Sequence, residues 1–475
     1  MAAAHKWHPI TELPDAPSDL TDGELESLQR VWRNQKSQLI EQSALDEFEK
    51  RLRREWAIET GIIEDVYTLD RGITRTLIEK GIDAALIPHN ASNRDSIVVA
   101  RIIQDHYDAL EGMFDFVGGQ RLVSTSYIKE LHAALLRNVD THIVVDQFGK
   151  TFKTPLEKGL YKTVPNSPTR QDGLLPQYCP PEHVASEMDE LIRMHREHDS
   201  RTIPPEVSAA WLHHRVTQIH PFSDGNGRVA RAIASLVFIK AGWFPLIVRR
   251  EDRVRYITAL EMADQGELRP LVSMFVESQR NVLIQATEIA YDVRPITSKH
   301  EAVLAARDRL LNKEKLSPKE WLYPKDVATK LADYARNQFQ EIESERTSEL
   351  GSLGKGYTFN VHAGPLETEN HFRERAISQA GHKPDFSAFN TLVELVLHTG
   401  IGAALTLSFH GIGPLFRGLI GVVPYLVFRG GDPAPIEPGI FQINYEEDFS
   451  SAQDRFSKWL DLIIVEGLNM WRLTL

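Results

Sequence analysis

Apolar residues recur at helical spacing through most of the first 290 positions of the chain. Between residues 22 and 66 they fall three or four positions apart, which places them on one face of a helix. The same spacing predicts helices at 73–114, 182–198 and 207–219, and then on to about residue 291. The clearest apolar set comprises Leu45, Phe48, Leu52 and Trp56.

The segment from residue 141 to residue 178 breaks this helical pattern. Its runs IVV, TFKT and LYKTV are short and β-prone, and the turn-rich stretch NSPTRQDG follows them. These features predict a hairpin or an extended flap between two helices.

A second change in pattern follows Pro295. A charged helical stretch leads to a Gly/Ser turn, after which LTLSF, YLVF and FQINY are predicted to be strands and 454–470 a final helix. We therefore expect a mainly α chain with a separate C-terminal α+β domain. The predicted parts are an N-terminal helical region (1–112), a central domain (113–291) and the C-terminal domain (292–475).

Composition narrows the classes of function. The 475 residues are 42% apolar and 25% charged, as in a soluble chain of two or three domains. A net charge of -12 argues against nucleic acid as the main partner, since phosphate binding usually shows as a basic face. Cys179 is the only cysteine, and no stretch has the pattern of a signal peptide or a membrane span. We expect a cytoplasmic protein with no membrane partner, whose Pro-rich residues 1–20 form a loosely held arm.

The stretch IHPFSDGNGRVARAIASLVF, at residues 219–238, raises an electrostatic question. Arg228 and Arg231 fall in the first turn of a predicted helix, where the backbone is already positive and a cation is unfavourable. An anion would remove this conflict. Gly225 and Gly227 allow successive N–H groups to converge, and the helix adds its positive end. The pattern therefore predicts a phosphate cradle.

Two neighbouring residues add chemistry to this cradle. Asp224 would repel phosphate unless a divalent cation, most naturally Mg²⁺, bridges the two through oxygen ligands. His220, at the end of the preceding helix, can serve as a general base toward an incoming hydroxyl. The alternative interpretation is a plain turn with a structural histidine.

Residues 220–231 resemble the Fic (filamentation induced by cAMP) signature, HPFx(D/E)GNGRxxR, at every defined position. The wider resemblance covers roughly residues 56–282 and leaves out the last 180 residues. It implies a Fic-type helical bundle with a β-hairpin flap. It also implies transfer of AMP from ATP to a Ser, Thr or Tyr hydroxyl of a target protein, which could be the protein itself.

The resemblance assigns a role to each matching position. His220 would be the base and Asp224 the Mg²⁺ ligand. The α- and β-phosphates would be held by Gly225, Asn226, Gly227 and Arg228, and the γ-phosphate by Arg231.

The flap and the base pocket are less closely matched. A hairpin around 159–164 would position the target by strand-like pairing, with an ordinary structural hairpin as the alternative. Where the family often places an aromatic and an asparagine against adenine, this chain has Ile257 and Asp264, and Tyr256 could compensate. The flap residues would be Gly159, Leu160, Tyr161, Lys162 and Thr163.

An inhibitory helix is also implied, near 43–67. The family motif (S/T)xxxE(G/N) matches Thr60 to Asp65 except at its last position. Thr60 and Glu64 are four residues apart and share one helical face, so Glu64 could pair with Arg231 at the γ-phosphate position. The alternative is a solvated Thr/Glu face.

Together these features predict a Mg²⁺- and ATP-dependent protein adenylyltransferase, autoinhibited by an N-terminal helix. Three alternatives stay open: removal of AMP from a modified protein at the same site, transfer from another nucleotide or diphosphate donor, and a nucleotide-sensing binding module. The sequence also leaves a homodimer open.

Overall fold

A computed structural model describes residues 7–37, 42–88, 90–145, 150–166, 177–288, 317–351, 358–365, 371–398, 402–413, 416–428 and 431–474. The chain divides into two compact units. The first comprises residues 1–23 and 46–280, and the second comprises residues 24–45 and 281–475. The boundaries predicted at residues 112 and 291 stay predictions.

The first ten helices account for most of the residues before position 289. Three short 3₁₀ helices, Pro17–Leu20, Ala84–Leu86 and Arg250–Asp252, supplement them. The α-helices are α1 (Glu24–Lys36), α2 (Gln42–Ile63), α3 (Arg71–Lys80), α4 (Ser96–Gly118), α5 (Thr125–Leu135), α6 (Pro181–Ser200), α7 (Pro205–Ile219), α8 (Asn226–Lys240), α9 (Arg253–Asp264) and α10 (Arg269–Glu288).

Helices α7 and α8 form the buried centre of the first unit. Almost every side chain of α7 is buried, including polar ones such as His213 and Gln218, so the whole helix lies in the core. Pro205 starts α7 at the first helical position, where its missing N–H costs nothing. The helix ends at Ile219, as Pro221 predicts, and His220 adopts a left-handed backbone with φ 53°. The loop 220–225 therefore connects two core helices.

The predicted hairpin exists, but it lies earlier than the flap residues named from sequence. Strands β1 (Thr141–Val145) and β2 (Thr151–Pro155) pair antiparallel, with Val144 opposite Phe152. The placement of a hairpin at 159–164 was wrong, because the main-chain groups there bond to other parts of the fold. The N–H of Lys162, for example, donates to the Pro221 carbonyl oxygen (2.9 Å).

The N-terminal arm is held more firmly than its composition predicted. Trp211 Nε1 donates to the Thr11 carbonyl oxygen (3.0 Å), and Arg215 Nη2 donates to Thr11 Oγ1 (2.7 Å). The carboxylate of Glu12 is hydrogen-bonded to the ring of His198. The Pro-rich, acidic composition of the arm predicted a loose segment. That prediction failed because the partners lie about 200 positions along the chain, and local composition gives no indication of them.

The second unit contains helices and an antiparallel sheet. Its elements after residue 317 are α11 (Pro318–Gly351), β3 (Thr358–Gly364), α12 (His371–Gln379), β4 (Pro384–His398), β5 (Ala403–Ile412), β6 (Leu419–Phe428), β7 (Ala434–Pro435), β8 (Phe441–Asn444) and α13 (Phe449–Arg472). The sheet follows the order β3-β4-β5-β6-β7, and β8 pairs with β6. Strands β5 and β6 are buried over most of their length, and one face of the sheet packs on the long helices α11 and α13.

The predicted fold class is confirmed: a mainly helical chain with a small hairpin and a C-terminal α+β part. The strands predicted at LTLSF, YLVF and FQINY fall in β5, β6 and β8, and the predicted last helix is α13. Among the described residues, none of the helices combines the length and the apolar character that crossing a membrane requires.

Candidate functional site

The amino end of α8 is built on two glycines. Gly225 has φ 81°, and a Cβ at this position would come within 2.8 Å of the Leu136 side chain, so only glycine fits. Asn226 secures the loop, because its side chain accepts from the Phe222 N–H (2.8 Å) and donates to the Phe222 carbonyl oxygen (2.7 Å). Since no side chain caps α8, its first N–H groups face outward from a positive helix end.

Two buried guanidinium groups flank this helix end. Arg228 and Arg231 are each only 1% exposed. Arg228 Nη2 donates to Asp224 Oδ2 (3.0 Å), but Arg228 Nε and Nη1 and Arg231 Nε have no hydrogen-bond partner among the described residues. Buried donors without acceptors are costly, and phosphate oxygens would satisfy them. The residues present therefore fit a polyphosphate.

Glu64 already occupies part of this site. Arg231 Nη1 donates to Glu64 Oε1 (2.8 Å), and Arg231 Nη2 donates to the Thr60 carbonyl oxygen (3.2 Å). The Glu64 carboxylate lies so close to Gly227 that a Cβ there would overlap with it. Thr60 thus contacts Arg231 through its main-chain carbonyl oxygen, whereas the sequence motif had suggested a role for its side chain. Burial acts to lower the pKa of Arg231, but Glu64 and Tyr256 together raise that pKa above its ordinary value.

Two ion pairs hold helix α2 in place close to Glu64. Arg250 donates through Nη2 to Glu59 Oε1 (2.7 Å), and Arg249 Nε donates to Glu55 Oε1 (2.7 Å). Asp65, which follows the helix, has a left-handed backbone with φ 53°. This conformation explains why glycine or asparagine suits the position, since both tolerate it and aspartate does so to a lesser degree.

His220 has the geometry of a neutral base. Its Nδ1 lies 3.2 Å from the Thr217 carbonyl oxygen, which can only accept, so Nδ1 carries the proton and Nε2 keeps a lone pair. The Tyr178 ring stacks on the imidazole at 3.9 Å between centroids. Burial, and then the nearby Lys162 cation, lower the pKa of His220 to about 4. The imidazole is therefore uncharged at neutral pH.

Asp224 is an ionised carboxylate that the loop holds in place. Its Oδ1 accepts from the Gly225 N–H (2.7 Å), and its Oδ2 accepts from Arg228. Burial alone would raise the pKa of Asp224, but the Arg228 charge and the Gly225 amide hold it below the ordinary value. Within the described parts of the chain no three His, Cys, Asp or Glu side chains cluster as a metal site. A Mg²⁺ ion at Asp224 would therefore need phosphate and water oxygens as its other ligands.

The base-pocket residues lie differently from the sequence expectation. Tyr256 is 5% exposed, and its hydroxyl is hydrogen-bonded to His213 Nε2 (2.8 Å), which leaves little of the ring for a nucleotide base. Ile257 is 39% exposed. Asp264 Oδ1 accepts from His214 Nε2 (3.1 Å). Burial therefore argues against Tyr256 as an adenine contact.

The segment 159–163 lies against the loop, although it is not a hairpin. The Gly159 N–H donates to His132 Nδ1 (2.8 Å), and His132 Nε2 donates to the Asp224 carbonyl oxygen (3.0 Å). Tyr161 carries the Lys129 ammonium over its ring, 4.0 Å from the centroid. His132 was not identified from sequence, because it lies 92 positions from Asp224 and no local pattern marks it.

The remaining three flap residues have different surroundings. The Leu160 side chain is exposed, and Thr163 is exposed as well. Lys162 is instead buried. Of the five predicted flap residues, Lys162 is thus the one that is buried beside the loop 220–225.

The first unit is a helical domain in which a positive helix end with two buried arginines lies next to a neutral histidine. Residues 122–238 match the Fic/DOC family. The chain therefore carries a Fic/DOC-like domain at these residues.

Similar proteins carry the family name in their descriptions. Protein adenylyltransferase fic-1 of Caenorhabditis elegans is 26% identical over 213 residues, which is 43% of this chain and 35% of the relative. Protein adenylyltransferase Fic of Drosophila melanogaster is 34% identical over 90 residues, 19% of this chain and 18% of the relative. The chain thus spans about a third, or less, of the length of these curated relatives.

A solved structure resembles part of the chain. It is a Fic domain containing signaling protein from Bacteroides thetaiotaomicron, with 23% identity and a TM-score of 0.46. The match covers 57% of this chain and 97% of that one.

Proposed function

We propose that this protein transfers AMP from ATP to a hydroxyl side chain of a target protein, and that α2 restrains this activity. One observation carries the proposal: residues 220–231 join a neutral imidazole to buried guanidinium groups, and three of their N–H-bearing nitrogens lack an acceptor among the described residues. The descriptions of the relatives as protein adenylyltransferases support the same chemistry.

His220 takes the proton of the incoming hydroxyl. Its Nε2 lone pair is available because Nδ1 donates to the Thr217 carbonyl oxygen, and its low pKa keeps it unprotonated at neutral pH. The hydroxyl oxygen forms a bond to the α-phosphorus as the bond to the β-phosphate bridging oxygen breaks. Pyrophosphate leaves and AMP stays on the target.

The phosphates of ATP are held by the amino end of α8. Its free N–H groups and the unfilled donors of Arg228 would bind the α- and β-phosphates, and Arg231 would bind the γ-phosphate. Asp224 would hold Mg²⁺, which when bound neutralises phosphate charge. Asp224 is suited to this by its ionised state and its partial exposure.

Glu64 provides the restraint. Its carboxylate engages Arg231 and lies against Gly227, which is where a γ-phosphate would have to bind. Two anions cannot share this position, because like charges repel strongly where water is scarce. ATP would then bind weakly or with its α-phosphate turned away from His220.

Intact-mass spectrometry of the Glu64→Gly protein with Mg-ATP tests the proposal. We expect the added mass of AMP on the protein itself or on a target in lysate. Glu64→Gly combined with His220→Ala should give no added mass. If Glu64→Gly transfers no AMP to itself or to any lysate protein, although it binds ATP, the proposed reaction is wrong.

Glu55→Gly is the matched control. It removes another carboxylate from α2, one that pairs with Arg249 and does not touch the cradle. We expect it to leave transfer at the level of the unmodified protein. Equal activation by both variants would show that loosening α2, rather than removing the Glu64 charge, releases the activity.

A further inference from the structure

Lys162 is a buried cation with no carboxylate in contact with it among the described residues. Its side chain is 3% exposed, and its Nζ donates to Asn166 Oδ1 (2.7 Å). The Tyr178 ring lies 5.9 Å from Nζ. Burial lowers the pKa of Lys162 to about 8. Enclosing an ammonium group without a counter-charge is costly, which is typical of a functional position.

Lys162 is also tied to both residues that follow His220. Its main-chain N–H donates to the Pro221 carbonyl oxygen (2.9 Å). Its side-chain partner, Asn166, donates through Nδ2 to the Phe222 carbonyl oxygen (2.6 Å). The main-chain hydrogen bond to Pro221 and the side chain of Asn166, which contacts both the ammonium group and Phe222, therefore hold Lys162 in a fixed place beside the loop.

The charged groups around His220 differ in whether they are paired with an opposite charge. The Thr217 carbonyl oxygen and the Tyr178 ring face the imidazole as neutral groups. The charged groups that act on it are Lys162, Glu64 and Asp224. Each of the two carboxylates is paired with an arginine, Glu64 with Arg231 and Asp224 with Arg228. The cation of Lys162 has no such pairing within the described chain.

This arrangement matters once a nucleotide arrives. A polyphosphate brings several negative charges to the end of α8, and nearby anions favour protonation of an imidazole. A protonated His220 could not accept the proton of a hydroxyl. A fixed positive charge beside the ring opposes that protonation.

We propose that Lys162 is a positioning residue that keeps His220 unprotonated while anionic substrate is bound, acting through its charge and through Asn166. The purpose of this effect, which is to keep the base unprotonated during AMP transfer, rests on the proposed function. The electrostatic effect on His220 itself can be measured without any turnover.

Hydrogen–deuterium exchange at the imidazole C2 carbon measures the titration of a single histidine in the full-length protein. Trypsin cleaves after Arg215 and Arg228, and the peptide 216–228 contains His220 as its sole histidine. We expect Lys162→Met and Lys162→Gln to raise the titration midpoint of His220 by about one pH unit, the size of a close charge effect. Lys162→Arg, which keeps the charge, should leave the midpoint near its original position.

Lys129→Met is the matched control, because Lys129 contacts the same segment through Tyr161 and is not among the charged groups that act on His220. An unchanged midpoint in both neutral Lys162 variants would overturn the proposal. So would an equal rise in Lys162→Arg or in Lys129→Met, since the effect would then be structural. Lys162→Gln retains a donor for Asn166 and serves if Lys162→Met does not fold.

Turnover separates this inference from the proposed function. In a Glu64→Gly background, the acid limb of the pH–rate profile for AMP transfer should move upward in Lys162→Met by the same amount as the exchange midpoint. A shifted midpoint with no AMP transfer in any variant would reject the transferase proposal and the purpose assigned to Lys162 while confirming its charge effect. An unshifted acid limb in an active enzyme would overturn the role of Lys162.

Discussion

Glu64 Oε1 lies 2.8 Å from Arg231 Nη1, and this ion pair joins residues that are 167 positions apart in the chain. Arg231 is buried, and the Glu64 carboxylate also adjoins Gly227 at the start of α8. The pair therefore fills one end of a cradle whose other donors stay without acceptors among the described residues. Under the proposed function, the γ-phosphate of ATP and the Glu64 carboxylate of α2 would compete for this one arginine.

Removing the Glu64 charge is expected to strengthen nucleotide binding. Glu64→Gln keeps the size of the side chain but removes the repulsion of the γ-phosphate, so affinity for Mg-ATP should rise by about tenfold or more, equal to about 1.4 kcal/mol. Isothermal titration calorimetry measures the difference. Glu55→Gln on the same helix should bind ATP like the unmodified protein, and equal affinities for all three proteins would contradict the competition.

Replacing His220 should separate chemistry from binding. His220→Ala removes the base, and loss of such a group typically lowers the rate by about 10²–10⁴-fold. Its effect on ATP affinity should be small, because the phosphate contacts come from α8 and its arginines. Single-turnover labelling with α-labelled ATP, in a Glu64→Gly background, gives the rate. Retained labelling would exclude His220 as the base.

The backbone at Asp65 is expected to influence how firmly α2 holds Glu64. The left-handed conformation costs a β-branched residue about 1–2 kcal/mol, whereas the Asp65–Arg253 ion pair is exposed and contributes about 0–1 kcal/mol. Asp65→Val should therefore raise basal AMP transfer several-fold, while Asp65→Asn should change it little. Initial rates of target labelling distinguish the two, and an equal effect of both variants would show that the loss of the ion pair dominates.

The chemistry of residues 220–231 could be predicted from the sequence because the residues that carry it are neighbours in the chain. Residues 220–231 span one turn and one helix start, so local geometry places His220, Asp224 and both arginines together. Lys162 and Asn166 escaped a functional assignment of this kind because their contacts with Pro221 and Phe222 arise only in the folded chain. The pairing of Glu64 with Arg231 was expected only through a family resemblance, since no local pattern connects residues so far apart.

Strand propensity explains why one predicted β segment of the first unit was right and another was wrong. TFKT and LYKTV have similar β-prone residues, but only the first pairs, because the N–H groups of Gly159 and Lys162 bond to His132 and Pro221 instead. In the second unit β5 and β6 were evident as apolar runs. The long strand β4 was missed, since its first half lacks a regular alternation and contains a register shift between Asp385 and Asn390.

A buried histidine pair in the second unit predicts loss of stability in acid. His382 Nε2 and His410 Nε2 are 3.0 Å apart in a stacked arrangement, and burial lowers the pKa of His382 to about 4. A histidine with a depressed folded pKa contributes stability above its unfolded pKa of about 6.5, and this is lost as pH falls toward 4. Between pH 7 and pH 5 the loss should be about 2 kcal/mol from His382.

Urea unfolding, followed by a probe in residues 317–474, measures this loss. His382→Phe should reduce the difference in unfolding free energy between pH 7 and pH 5 by about 2 kcal/mol, because phenylalanine cannot take up a proton. The exposed His371 supplies the matched control, and His371→Phe should leave the pH dependence unchanged. If His382→Phe destabilises the protein equally at both pH values, the pair is held by packing alone and its protonation does not govern the acid transition.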